Sequence, residues 1–493
     1  MVLDTPRSVT PDATMDAGSP RRLRDEWVAL SGLSAVFLFE MLDNSLLTIA
    51  LPTIGRDLDT TTAALQWVTG AYSVAFGGLM LLFGAIADRF GRRRIMLAGL
   101  ILLAAASLAT LFVTTAGQLI TVRVVMGIAA AMTTPGSIAL AFRLFDTDDL
   151  RVRAITVIST AGLVGLTAGP TAGGLVLTIA PWQVLVLVNV PIAGLAFIGI
   201  RTGIATDIRD ELHGDPIDVV GALLGTTTIA GALITPTLFV GDGPRPSAPW
   251  VATAMTVAAG IGFVLRQRSA RHPLVDVRLI TLPLVSSGLT YKAAAGLAGA
   301  GLSYLVTLQL QLAWGWTPAL AAVALLPQVV VLLGSGRLVG PFVHRVGLDR
   351  AAGFSAAAVV TGLAVFGFLG RFGYVWVLLA LVLVAAGMRV VGVVAGTNVL
   401  RGLPADRTSI GAALVDTSSE LATATGVAAA GTILSALTAG SITGTHWTSA
   451  DLAQFEGAIT VAGLTLTLAA TALVSFGAIC SRAIISTQEP THA

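Results

Sequence analysis

Apolar residues fill this chain in fourteen long runs separated by short polar segments. The runs cover about 27–51, 63–84, 94–115, 118–141, 154–179, 182–202, 217–239, 249–266, 284–310, 319–341, 351–370, 374–397, 409–438 and 455–480. A helix needs roughly 20 residues to cross the hydrocarbon core of a bilayer, and tilt accommodates longer ones. The pattern therefore predicts an all-α polytopic membrane protein with 14 transmembrane helices. Gly and Pro interrupt the seventh and eighth runs most. The first 26 residues are polar. The run after them exceeds a signal-peptide core and lacks a small-residue cleavage site, so it reads as the first span.

Charge fixes the expected orientation. With the N-terminus inside, 22 of the 29 basic residues fall in the tails and cytoplasmic loops, three in outside loops and four within spans. This is the positive-inside asymmetry, and one missed helix would scramble it. Both termini are expected in the cytoplasm.

An internal repeat divides the chain. Gly84-Ala-Ile-Ala-Asp88-Arg89-Phe-Gly91 follows the second span, and Gly340-Pro-Phe-Val-His344-Arg345-Val-Gly347 follows the tenth. Repeated halves with a substrate site between them are a common build for secondary transporters. Residues 27–202 and 283–482 are read as two six-helix halves. Residues 203–282 hold two inserted helices and linkers, and 1–26 and 483–493 are cytoplasmic tails.

Composition narrows the function classes. Hydrophobic residues make up 55% and charged residues only 11% of the chain, against roughly 25% charge in an average soluble protein. Mean hydropathy is +0.86. Such a chain uses lipid as solvent, which excludes a soluble enzyme or a nucleic-acid binder. One cysteine, Cys480, excludes an internal disulfide and a Cys-based metal cluster. Of the basic residues only Lys292 is a lysine, and this Arg, Ala and Gly richness reads as a GC-rich bacterial gene.

Three motifs carry the chemistry. Gly84, Asp88, Arg89, Gly91, Arg92 and Arg93 spell G-x-x-x-D-R-x-G-R-R, a helix-to-helix turn whose acid is placed to pair with an Arg. In the fourth span Arg123 precedes Met126-Gly127; an Arg there is costly in lipid and is expected to face the bundle interior. In the fifth span Gly165, Gly169, Pro170, Gly173 and Gly174 form G-x-x-x-G-P-x-x-G-G, a small-residue stripe with a kink. Together these resemble the motifs of the major facilitator superfamily, with Met126 where the family often has Gln. The fifth-span pattern resembles the motif of its antiporters. Leu42-Asp43 and Ala50-Leu51-Pro52 resemble the first-helix motif of the fourteen-helix drug:proton antiporters, with Thr48 in place of the usual Asn. Pro216-Ile217-Asp218 with Gly221, His272-Pro273-Leu274, and Trp182 with Asn189-Val190-Pro191 agree with that family. The resemblance implies a major facilitator fold and proton-coupled export.

Seven charged residues within the spans are candidates for the proton and substrate site: Glu40, Asp43, Arg123, Lys292, Arg389, Asp416 and Glu420. Glu40 with Asp43, and Asp416 with Glu420, each share one helix face. Carboxyls in low dielectric exchange protons under conditions where exposed ones stay ionised. Each also has a structural reading: a helix-packing hydrogen bond for Glu40 and Asp43, a hydrated helix end for Asp416. Asp43 lies about 12 Å from Leu51 along the helix, near the middle of a ~30 Å core, and is expected to be the principal coupling acid. Lys292 and Arg389 are candidate counter-ions. Fixed positive charge opens the cavity to neutral or anionic compounds as well as cationic drugs.

The expectation is a proton-coupled exporter of small lipophilic drugs or antibiotics in the bacterial cytoplasmic membrane, monomeric, working by alternating access. The alternative is an exporter of an endogenous metabolite or lipid on the same fold. The expected partners are a small-molecule substrate, protons and the lipid bilayer, without nucleic acid. No cofactor, metal or catalytic residue is expected.

Overall fold

The computed structural model describes residues 23, 26–145, 147–207, 218–241, 247–271, 273, 277–403, 408–438 and 448–488. The helices are α1 (Trp27–Asp57), α2 (Thr62–Phe90), α3 (Arg92–Ala109), α4 (Ala116–Leu144), α5 (Asp148–Val176) and α6 (Gln183–Gly203). The inserted pair is α7 (Val219–Gly241) and α8 (Ser247–Ser269). Then follow α9 (Pro283–Leu308), α10 (Pro318–Gly334, continuing as Gly336–Val346), α11 (Leu348–Leu369), α12 (Tyr374–Gly402), α13 (Thr408–Leu437) and α14 (Ser449–Gln488). Twelve are each long and apolar enough to cross a membrane; α2 and α10, each with a bend of more than 40°, bring the number to as many as 14 if each bent pair is one span. Several helices outrun the predicted spans, notably α1 to Asp57 and α14 to Gln488. Hydropathy marks only the hydrocarbon segment, whereas a helix continues until something ends it. The N-terminal tail to residue 22, residues 489–493, and the family-like Pro216, Ile217, His272 and Leu274 lie outside the described residues.

Threonine starts several of these helices. Thr61, Thr115 and Thr317 accept hydrogen bonds from the amides of Ala64, Gln118 and Leu320, and Gln118 completes a capping box. The repeated turns are tighter than loops. In the first, α2 runs through Phe90 and α3 starts at Arg92, so Gly91 alone breaks the helix, with φ +105°. Gly347 does the same between α10 and α11, with φ +85°. Only glycine takes that conformation readily.

α1 packs along α5 and α6, and α2 and α3 pack on α4, giving a first bundle. α9 packs on α12, α13 and α14, and α11 packs on α12 and α14, giving a second. The bundles meet along two seams, α2 with α13 and α5 with α10. The α7–α8 hairpin leans on both α2 and α13, where Thr226 donates to the Gly78 carbonyl at 2.8 Å. Asp218 ties the hairpin's ends, accepting from the Gly221 amide and Arg266 Nε at 3.0 Å each. Outward faces carry exposed apolar side chains such as Leu195, Val330 and Leu468, as a lipid-facing surface requires.

Hydrogen bonds join the bundles near the helix ends remote from Gly91. Gln66 Nε2 donates to the Ala428 carbonyl at 3.0 Å and to Thr432 at 3.2 Å. Gln311 Nε2 donates to the Ile49 carbonyl at 2.9 Å. Gln311 sits in a π-helical turn, Gln309–Ala313, that ends the ninth span.

Candidate substrate cavity and coupling site

Between the bundles lies a cavity of about 300 Å³. The first bundle lines it with Met41, Asn44, Ser45 and Thr48 of α1, Thr69 and Ser73 of α2, and Thr167 and Pro170 of α5. The second contributes Lys292, Ser303 and Thr307 of α9, Gln328 of α10, and Ser419, Glu420 and Thr423 of α13.

The seven intramembrane charges separate into distinct environments. Asp43 lies off the cavity wall. Its neighbours Met41 and Asn44 face the cavity, and the 100° turn per residue sends Asp43 toward α4 and α6. There Arg123 Nη1 pairs with Asp43 Oδ2, and Asn189 Nδ2 donates to Oδ1 at 2.7 Å. Arg123 Nε donates to the Val68 carbonyl at 3.1 Å, and its guanidinium lies 4.5 Å from the centroid of the Tyr72 ring. All four side chains are buried. Arg123 therefore faces the bundle interior and does not reach for the membrane surface.

Glu40, one turn earlier, accepts a 2.7 Å hydrogen bond from Thr134 and lies in electrostatic range of Glu420 and Asp416 across the seam. Glu420 is on the cavity wall, buried, and its Oε2 has no hydrogen-bond partner. Lys292 is on the same wall, in electrostatic range of Asp416 and Glu420, and forms no salt bridge among the described residues. Asp416 and Arg389 are not on the wall. Arg389 reaches the α10 break, where a Cβ on Gly336 would lie 2.8 Å from its Nη2. Among the described residues, no group of three or more His, Cys, Asp or Glu is placed to hold a metal ion.

The fifth-span glycines mark close approaches. A Cβ on Gly165 would lie 2.5 Å from the Leu38 carbonyl oxygen, one on Gly169 would overlap Ser45 Oγ, and one on Gly173 would lie 2.9 Å from Ile49 and Leu46. These three fit α5 against α1. Gly174 serves the seam instead, with Ala322 Cβ 2.5 Å from the position of its missing Cβ.

At the Gly91 turn, Asp88 in the last turn of α2 pairs with Arg92 in the first turn of α3 at 2.7 Å. The acid that caps α3 is a different one. Asp207, just beyond α6, accepts from the amides of Arg93 and Arg94 at 3.4 and 3.3 Å and from Arg143 at 3.3 Å. Arg93 donates to the Arg201 carbonyl at 2.7 Å. A Cβ on Gly91 would run into Asp207, whereas Gly84 has open space around it. Arg89 is exposed. The sequence pattern marks neither Tyr72 nor Asp207 as a site residue, and it shows Asn189 only as part of the Asn-Val-Pro resemblance.

This arrangement has relatives. The Major Facilitator Superfamily profile matches residues 33–427. The multidrug efflux pump LfrA of Mycolicibacterium smegmatis is 28% identical over 86% of this chain and 84% of its own. The methyl viologen resistance protein SmvA of Salmonella typhimurium is 30% identical over 83% of each. Among solved structures, a bacterial homolog of the human lysosomal transporter Spinster superposes with a TM-score of 0.68 at 16% identity, covering 94% of this chain and 99% of that one. The chain belongs to the Major Facilitator Superfamily, and it is a multi-pass membrane transporter, not an enzyme.

Proposed function

We propose that this protein is a proton-coupled exporter of small lipophilic compounds, drugs or antibiotics among them, acting by alternating access in the bacterial cytoplasmic membrane. Its termini face the cytoplasm, and it acts as a monomer. The observation that carries this reading is Glu420: a buried carboxylate, without a hydrogen-bond partner at Oε2, on the wall of a cavity between two bundles. Such a group holds either a proton or a cationic part of a substrate, and that exclusivity is what antiport needs. The sequence pattern favours Asp43 for this role. The geometry favours Glu420, because Asp43 already spends both carboxylate oxygens on Arg123 and Asn189. The remaining residues fit supporting parts. The α5 glycines let α5 pack closely on α1, and the Asp88–Arg92 pair with the Asp207 cap joins α2, α3 and α6 as a unit that turns together. Efflux pumps and resistance proteins among the relatives support the direction of transport. The second reading is export of an endogenous metabolite or lipid on the same fold; a relative named a cephamycin export protein, 32% identical over 62% of this chain, supports export in either case.

An efflux panel in a host stripped of its own pumps tests the proposal. Expression is expected to lower the accumulation of several lipophilic dyes, and a protonophore to abolish the difference. Accumulation that is unchanged by expression, or lowered equally with and without protonophore, would overturn it.

A further inference from the structure

The cavity wall is electrically lopsided. The first bundle offers only neutral groups, among them Asn44, Thr48, Thr69 and Ser73. The second offers one ammonium, Lys292, and one carboxylate, Glu420, the two ionisable side chains among the described wall residues. Glu420 is 9% exposed and its Oε2 has no hydrogen-bond partner. Lys292 and Glu420 lie within electrostatic range without forming a salt bridge. The other charges nearby are engaged elsewhere or turned away. Glu40 is held by Thr134 and Arg389 lies against the α10 break; Asp416 is off the wall, though in electrostatic range of Lys292 and Glu420.

Opposite charges in a low dielectric attract strongly, so a pair left open is available to a ligand that bridges it. The stems of both side chains start from fixed positions, because their helices pack backbone to backbone. A Cβ on Gly296 of α9 would lie 2.7 Å from the Ser419 carbonyl oxygen, and one on Gly426 of α13 would lie 2.6 Å from that of Leu297. Ser418 Oγ also donates to the Leu289 carbonyl at 2.9 Å. The two backbones are already in contact and cannot approach further. Both charges also belong to one bundle, so rocking of the bundles leaves their spacing unchanged.

We propose that this cavity selects amphoteric compounds: small, mainly apolar molecules carrying both an amine and a carboxylate, the ammonium set against Glu420 and the carboxylate against Lys292. This rests on the exporter reading above and names its substrate class. A monocation leaves Lys292 without a partner on the cavity wall and facing a like charge. A monoanion leaves a buried carboxylate unpaired. A zwitterion leaves neither, and unpaired buried charge is the costlier outcome. A cavity of about 300 Å³ stands at the small end of ligand pockets, which suits compounds of drug size or less.

Three probes on one fluorophore separate the cases: dansylcadaverine (cation), dansylglycine (anion) and Nε-dansyl-lysine (both). Binding is measured by fluorescence titration to the purified full chain in nanodiscs. The amphoteric probe is expected to bind about tenfold more tightly than either of the others, a difference of about 1.4 kcal/mol. Lys292→Gln is expected to bring it down to the level of the cation, Glu420→Gln to the level of the anion, and Lys292→Arg to retain the ranking. Tightest binding of the cation by the wild type, or an equal loss for all three probes in both Gln variants, would overturn the proposal. If the ranking holds but proteoliposomes move none of the probes, the exporter reading fails and the cavity assignment stands. Transport of the probes without the ranking would overturn the cavity assignment and leave the exporter reading standing.

Discussion

Each bundle carries a cation and a carboxylate inside the membrane, and the two pairs are built in opposite ways. In the first, Asp43 and Arg123 are in contact, buried, and joined by Asn189, the Val68 carbonyl and the Tyr72 ring. In the second, Lys292 and Glu420 stand apart on a cavity wall. On the reading proposed above, similar chemical groups serve different ends: the closed pair, with its several further contacts, holds helices together, and the open pair receives a ligand that comes and goes. The surroundings of a charge, more than its depth in the bilayer, decide which it is.

The comparison breaks most visibly in stability. Asp43→Asn keeps the shape but leaves Arg123 buried without its counter-charge, and removing one partner of a buried pair costs about 3–5 kcal/mol. Thermal unfolding in detergent is expected to show a large loss for Asp43→Asn and partial recovery in the double variant with Arg123→Gln. Lys292→Gln, which breaks no contact pair, is expected to cost much less stability. Equal losses for Asp43→Asn and Lys292→Gln would remove the distinction between the clusters.

A second effect concerns what keeps Asp43 turned from the cavity. Gly169 fits against Ser45 on α1 with no room for a Cβ. Gly169→Ala is expected to cost about 1–3 kcal/mol of packing strain and to reduce export sharply while the protein still inserts. Adding Ser45→Gly makes room and should restore part of the export. Gly169→Leu is expected to abolish export. Normal pumping by an expressed Gly169→Leu variant would contradict the packing role.

The smallest expected effect lies at the Gly91 turn, remote from both clusters. Asp207→Ala removes a helix cap, at a cost of about 0.5–2 kcal/mol, and should slow turnover more than it weakens substrate binding. Asp88→Asn, which loosens the pair with Arg92, should act the same way. Loss of binding with turnover kept at saturation would show that this turn serves the cavity directly.

The fold is legible in the sequence because lipid imposes it: the apolar runs become twelve helices each long and apolar enough to span, with two further bent ones, and the Gly91 and Gly347 repeat reappears as two glycines of positive φ. The motif residues are also legible, since Gly169 and Arg123 sit where their chemistry demands. Pairing is not. The Asp43–Arg123 contact depends on α1 and α4 meeting, and no spacing along the chain encodes that. Asn189 is hidden in an apolar stretch, and Asp207 in a polar linker where an acid attracts no notice. Nor can the sequence choose between Asp43 and Glu420. Both are acids in apolar spans, and α1 and α13 are apolar on most faces, so no stripe marks the side that lines the cavity.

The open pair, through Glu420, is the proposed point where proton is exchanged for substrate. The direct measurement is accumulation of Nε-dansyl-lysine at saturating concentration in proteoliposomes with an imposed pH gradient, comparing wild type with Glu420→Gln. Wild type is expected to concentrate the probe against its gradient. Glu420→Gln should lose that uphill movement while still letting the probe run downhill. If Glu420→Gln concentrates the probe as wild type does, Glu420 is not the coupling site and the division between the two clusters is wrong.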